Sequence, residues 1–212
     1  MTGELDKAAE TYELWQQTYP RNYAPYGNLA AISFDLGNYE KALSECREAL
    51  RLEPNDVVNY SNLAAVYTNL NRLDEEEAVY KHAEERKLDS ELLLSSRYVL
   101  AFLKGDAVQM ERLALAAMAK PGTEDLLLAA QADTQAWSGK MKNARELTRR
   151  AMDSAEHNDA KETAAGYQAE SALREVEAGN RELARTEANA AMKLATNRDV
   201  QAMASKRYGR SG

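Results

Sequence analysis

Residues 23–56 read YAPYGNLAAISFDLGNYEKALSECREALRLEPND. Two amphipathic stretches lie either side of Gly37-Asn38, and Pro54 closes the second. A glycine between two helical stretches supplies the left-handed residue that ends a helix. A proline after the second stretch forbids its continuation. The same frame recurs along the chain. Gly37, Asn71, Gly105 and Gly139 are each 34 residues apart, Gly3 lies 34 before Gly37, and Gly179 arrives 40 after Gly139. A second column holds Ala49, Ala83, Ala117 and Ala151, then Ala191 at the stretched interval of 40. A third holds Ala30, Ala64, Tyr98, Ala132 and, 40 later, Ala172. One six-residue insertion between Met152 and Ala172, best placed in MDSAEHNDAKETAAG, accounts for all three columns. Repeated alanines mark places where two helices approach too closely for a larger side chain. Pro20 and Pro54 are again 34 apart, whereas Leu88 takes the proline position in the next copy and Pro121 comes one residue early.

Each period is therefore helix, short turn, helix. The pattern predicts helices over 5–18, 23–36, 39–52, 57–70, 73–87, 91–104, 107–120, 124–138, 141–154, 160–178 and 181–194, with a last stub from Arg198. Composition agrees. The chain has 212 residues, with 44% apolar residues, only 4 Pro and 10 Gly, so it can bury a core and favours helix. A single Cys excludes an internal disulfide framework. No apolar run approaches the roughly 18 residues of a membrane span, and the N-terminus lacks the basic-then-apolar pattern of a secretory signal. A net charge of −7 argues against nucleic acid as a partner. A cytoplasmic location is expected.

The residues that set the period resemble the tetratricopeptide repeat. The best copy carries Tyr26, Leu29, Ala30, Gly37, Tyr39, Ala42, Ala49, Leu50 and Pro54; the next carries Tyr60, Leu63, Ala64, Tyr67, Asn71, Leu73, Tyr80 and Ala83. Later copies depart: Arg97 and Gln131 take the Leu position, and Glu76 and Met110 an Ala position. The resemblance implies an all-α, right-handed superhelical α-solenoid of antiparallel helix pairs. It would hold about five full repeats plus a half repeat at each end, as a single array over 1–212. The expected divisions are 1–22 (second helix only), 23–56, 57–90, 91–124, 125–164 (with the insertion), 165–198 and 199–212 (partial). A solenoid needs both ends covered. The ends therefore read as a segment of a longer protein, as surfaces covered by a partner, or as frayed ends of a complete chain. The run from Glu84 to Ala155 also resembles the repeat region that follows the catalytic domain in some bacterial Ser/Thr protein kinases, and similar arrays follow DNA-binding domains in some bacterial transcription regulators. None of the kinase's own motifs is present.

Chemistry is sparse. His82 lies in a charged stretch and His157 in the insertion, and neither has Cys or His at metal-ligand spacing. Cys46 takes a position that holds Tyr12 and Tyr80 in neighbouring copies, which predicts a buried, inert thiol. There is no GxSxG, P-loop or GxGxxG; Gly139-Lys140 lacks the rest of a phosphate loop, and the Asn59-Tyr60-Ser61 sequon falls inside a helix. No enzyme activity, metal or cofactor is expected. Glu75–Glu77 and Glu84-Glu85 read as solvated charge on an outer helix, against the alternative of a cation or basic-partner site. Residues 1–106 carry 11 basic and 19 acidic residues, and residues 107–212 carry 16 and 15. The front half alone would attract basic partners.

In the tetratricopeptide family the first helix of each pair lines the face on which peptides lie. Carried onto this sequence, that face offers Asn28, Phe34, Asn62, Asn69, Phe102, Asp133 and Trp137. Asn28 and Asn62 share a slot, and an amide there either pairs with a peptide backbone or holds adjacent helices together. Phe34 and Phe102 serve as anchors or as packing between helices; Trp137, at the end of its helix, is the stronger anchor candidate. The slots lack the Lys and Arg that clamp a C-terminal carboxylate. Asp35, Asp133, Glu170 and Glu177 favour a neutral or basic protein or peptide instead. The implied function is a protein-interaction module. The alternatives are a regulatory arm of a larger bacterial kinase or transcription regulator, and self-association through the terminal helices.

Overall fold

The computed structural model describes residues 2–88, 90–118, 124–195 and 200. Among them are eleven helices and no strand: α1 (Thr2–Thr18), α2 (Ala24–Asp35), α3 (Tyr39–Leu52), α4 (Val57–Asn69), α5 (Leu73–Glu85), α6 (Glu91–Leu103), α7 (Ala107–Met118), α8 (Asp125–Trp137), α9 (Met141–His157), α10 (Lys161–Glu177) and α11 (Arg181–Leu194). Pro121 and the expected stub from Arg198 lie outside the described residues. The chain divides into two units, Met1–Ala107 and Val108–Gly212.

The turns form for the reason the spacing gave. Gly37, Gly105, Gly139 and Gly179 have φ of 76°, 70°, 73° and 83°, and Asn71 has φ of 54°. Each is followed by a residue whose N–H bonds back five residues, as in Asn38 N to Ser33 O at 2.8 Å and Arg72 N to Tyr67 O at 2.9 Å. This bond satisfies a carbonyl left open at the helix end. Gly3 differs from its column, because α1 already runs through it.

The second type of turn, between one pair and the next, is built in more than one way. After α3, Pro54 stops the helix and the Asp56 carboxylate accepts from the Asn59 N–H at 2.8 Å to cap α4. After α5 the proline position holds Leu88, and Lys87 turns the chain instead with φ of 59°. After α9, Asp159 does the same with φ of 57°. The insertion is absorbed around this last turn. At 17 residues, α9 is three longer than the 14 of α3, and α10, also 17, is four longer than the 13 of α4. The connection is one residue shorter.

In the first unit α2 packs on α1 and α3, α4 on α3 and α5, and α6 on α5; α4 also touches α2 and α6, so first helices adjoin first helices. Its core gathers Ala30, Leu43, Tyr60, Leu63, Val66, Tyr80 and Leu93 among others. In the second unit α8 packs on α9, α9 on α10, and α10 on α11 and α8. Every member of the second column is buried, from Ala49 and Ala151 at 0% exposure to Ala117 at 5%, and so is every member of the third.

Candidate binding face

The face of the first unit is set by how closely α2 and α4 approach. A Cβ on Gly27 would lie 2.7 Å from the Asn59 Oδ1, and Asn59 is itself buried. Beside this approach the two helices leave a notch of about 210 Å³. Ala31, Phe34, Ala65 and Val66 form its walls, Cys46 reaches it from α3, and Asp35 and Asn62 supply its polar groups. Phe34 is half-buried and meets Tyr39 edge-on at 5.4 Å between ring centroids. It therefore packs within its own helix pair and walls the notch at once.

The asparagines separate. Asn28 donates its amide to the Ala24 carbonyl at 2.8 Å, and Asn69 donates to Ala65 at 3.0 Å, each one turn back in its own helix. Asn62, half-buried, makes no hydrogen bond among the described residues, and Asp35 has neither a hydrogen bond nor an ion pair among them. Phe102 is half-buried on α6 and does not reach the notch.

In the second unit Trp137 ends α8 with 83% of its surface exposed. Asp133, one turn earlier, is bonded to Arg174 of α10, which also donates to Thr148 Oγ1 at 2.6 Å. The sequence reading grouped Asp133 with Asp35 as a charge open to a ligand; its charge is already matched by a cation whose side chain is only 10% exposed. Burial and the neighbouring Asp133 raise the Glu170 carboxyl above its ordinary range.

Two buried carboxylates were not read from the sequence as site or core. Glu76, from the triplet assigned to solvent, is 2% exposed. It accepts from Thr68 Oγ1 at 2.7 Å and from the Tyr80 hydroxyl at 3.1 Å. It stands 34 residues after the buried Ala42, which is the signal that could have placed it inside. Glu175 is 1% exposed and receives both Arg145 Nε at 2.7 Å and Arg145 Nη2 at 2.9 Å, plus Asn180 Nδ2 at 2.7 Å.

The remaining reactive side chains are occupied structurally. Cys46 is fully buried, and burial together with the charge of Glu45 pushes its thiol up to about 12, which keeps it protonated and unreactive. His82 Nδ1 lies 3.0 Å from the Tyr60 hydroxyl, and Arg86 Nε donates to His82 Nε2 at 3.4 Å. His157 Nδ1 contacts the Asp153 carbonyl at 2.6 Å. Among the described residues no cluster of His, Cys, Asp or Glu could hold a metal ion, and no helix is long and apolar enough to cross a membrane.

Paired helices that bury small residues at a fixed period, and meet first helix to first helix, define a helical-repeat protein built to present a surface. The particular repeat is the tetratricopeptide repeat: profiles of that family match residues 24–56 and 58–90, so two tetratricopeptide repeats lie there. No curated protein matches the sequence. Solved structures share the fold. A tetratricopeptide repeat protein from Parabacteroides merdae is 15% identical with a TM-score of 0.57, over 96% of this chain and 92% of its own. Yeast Tom70 is 16% identical with a TM-score of 0.60, over 96% of this chain and 44% of its own. A chain of the APC/C hetero-tetramer Cut9–Hcn1 is 12% identical with a TM-score of 0.58, over 97% of this chain. The present chain thus spans less than half the length of the last two, 46% in the Cut9–Hcn1 case. Repeats of this family are protein–protein interaction modules.

Proposed function

We propose that the chain is a non-enzymatic, cytoplasmic module that captures a neutral or basic segment of another protein on the face formed by the first helices. The observation that carries this reading is the notch between α2 and α4, where Asn62 and Asp35 stand without partners among the described residues, beside apolar walls. An idle, half-buried amide donates and accepts, so it suits an extended backbone. An idle carboxylate favours cations and repels a terminal carboxylate. On the second unit, considered by itself, Trp137 is proposed as a separate exposed aromatic contact. Phe102 and Asn69 belong to the same proposal as flanking contacts. The division into repeats at 23–56, 57–90, 91–124, 125–164 and 165–198 accompanies it.

The test starts from the protein that co-purifies with the chain, identified by mass spectrometry and titrated against wild type, Asn62→Ala, Asp35→Asn and Trp137→Ala. A loss of about tenfold or more in affinity for Asn62→Ala supports the reading, since hot-spot changes cost more than 1–2 kcal/mol. Unchanged affinity in all three variants places the site elsewhere.

Self-association is a second reading, favoured by the exposed Leu14, Trp15 and Tyr19 of the α1 end. Light scattering over a concentration series tests it, and a strict monomer removes it.

A further inference from the structure

We infer that the α2–α4 notch is an arginine pocket: the captured segment inserts one arginine side chain between Ala31 and Ala65, with its guanidinium on Asp35 and Asn62. This inference rests on the binding reading above and sharpens it to one side chain. Four observations converge on it.

The volume comes first. At about 210 Å³ the notch is smaller than the roughly 300–1,000 Å³ of small-molecule sites, so it suits one side chain rather than a free ligand. Its walls are the second. Ala31, Ala65 and Val66 are small or branched aliphatics that accept a methylene stem, and Phe34 presents a ring. Arginine pairs an apolar stem with a planar cation that packs against aromatic faces.

The polar groups are the third. Asp35 is a carboxylate with no cation among the described residues, whereas Glu40 takes Arg72 at 2.6 Å and Glu48 takes Arg51 at 2.6 Å. The Asn62 amide oxygen adds a neutral acceptor beside it. A carboxylate with an adjacent carbonyl-type oxygen matches the forked donors of a guanidinium better than the compact ammonium of lysine. The last is the wider field. Residues 1–106 carry 19 acidic against 11 basic residues, so a cationic segment is drawn to this unit and an anionic one is not.

The experiment is selection of a random peptide library on the full chain, followed by titration of an enriched peptide and its citrulline variant against wild type, Asp35→Asn and Asn62→Ala. Citrulline keeps the shape of arginine and removes its charge. The inference expects one invariant arginine among the enriched peptides. Citrulline replacement and Asp35→Asn each weaken binding by about tenfold or more, and the citrulline peptide binds wild type and Asp35→Asn alike. Enriched peptides that lose affinity in Asn62→Ala but carry no arginine, or carry lysine as often, overturn the arginine pocket and leave the binding face standing. Peptides insensitive to both substitutions, or no enrichment at all, overturn the binding face as well.

Discussion

Each unit buries one glutamate between packed helices, and the two are handled in opposite ways. Glu76 of the first unit is surrounded by neutral hydroxyls from Thr68 and Tyr80. Its burial raises its carboxyl above the ordinary range, only partly opposed by those two hydrogen bonds and by the charge of Lys104. Glu175 of the second unit is held by the Arg145 fork and Asn180, and these outweigh its desolvation and lower its carboxyl. The difference shows what the repeat frame leaves free. The frame demands small residues in the alanine columns. Where a charge enters the interior, it survives by local pairing in one unit and by neutral hydrogen bonds, at some electrostatic cost, in the other.

The comparison breaks first at Arg145. Arg145→Met strands Glu175 in the interior with Asn180 as its remaining donor. Because Arg145 is itself half-exposed, the loss is expected near the lower end for buried pairs, about 3 kcal/mol. Urea unfolding followed by hydrogen exchange should place the loss in the second unit; a destabilisation under 1 kcal/mol would mean that the pair is solvated in practice. Ala49→Leu and Ala151→Leu come next. Both positions are 0% exposed, so each should cost about 2 kcal/mol through overpacking, each within its own unit.

Acidification sharpens the contrast. Glu175 has a lowered carboxyl, so its contribution is complete above the unfolded carboxylate value, about 4.3, and is lost as pH falls through its lower folded value. Glu76 has a raised carboxyl, so the fold is favoured by its protonation and loses that advantage as pH rises through the raised value. Glu76→Gln should therefore be neutral or stabilise the first unit by up to about 1 kcal/mol at pH 7. It should also remove the gain that wild type shows in that unit on mild acidification. Amide exchange at two pH values, read per unit, checks both signs. The smallest effect is at the turns. Gly37→Ala should cost about 1 kcal/mol at φ of 76°, while Asn71→Gly at φ of 54° should change stability by a few tenths; thermal melts of the two variants rank them.

The columns of alanine, glycine and asparagine were legible because spacing in sequence is spacing in this fold: position 34 residues on is the same place in the next pair. Helices α3 and α11 carry the bounds that the period predicted. The insertion was located but not its form, since residues 152–166 favour helix almost throughout and no proline marks the turn that Asp159 makes. Glu76 was misassigned because a run of three glutamates reads as solvent, although its distance from Ala42 placed it inside. Glu175–Arg145 joins residues 30 apart, and composition cannot reveal such a pair. In the candidate site, Asn28 and Asn62 were indistinguishable by slot. One bonds to its own helix and the other does not, a choice between the preceding turn's carbonyl and open space that depends on packing.

The most direct test of the binding-face account is the footprint of the captured segment, read by amide and side-chain NMR of the full chain with and without it. The account predicts the largest changes on α2 and α4, including the Asn62 side-chain amide, with α3 and α5 quiet on their outer surfaces. A footprint confined to α3 and α5, with the Asn62 amide unmoved, would contradict it.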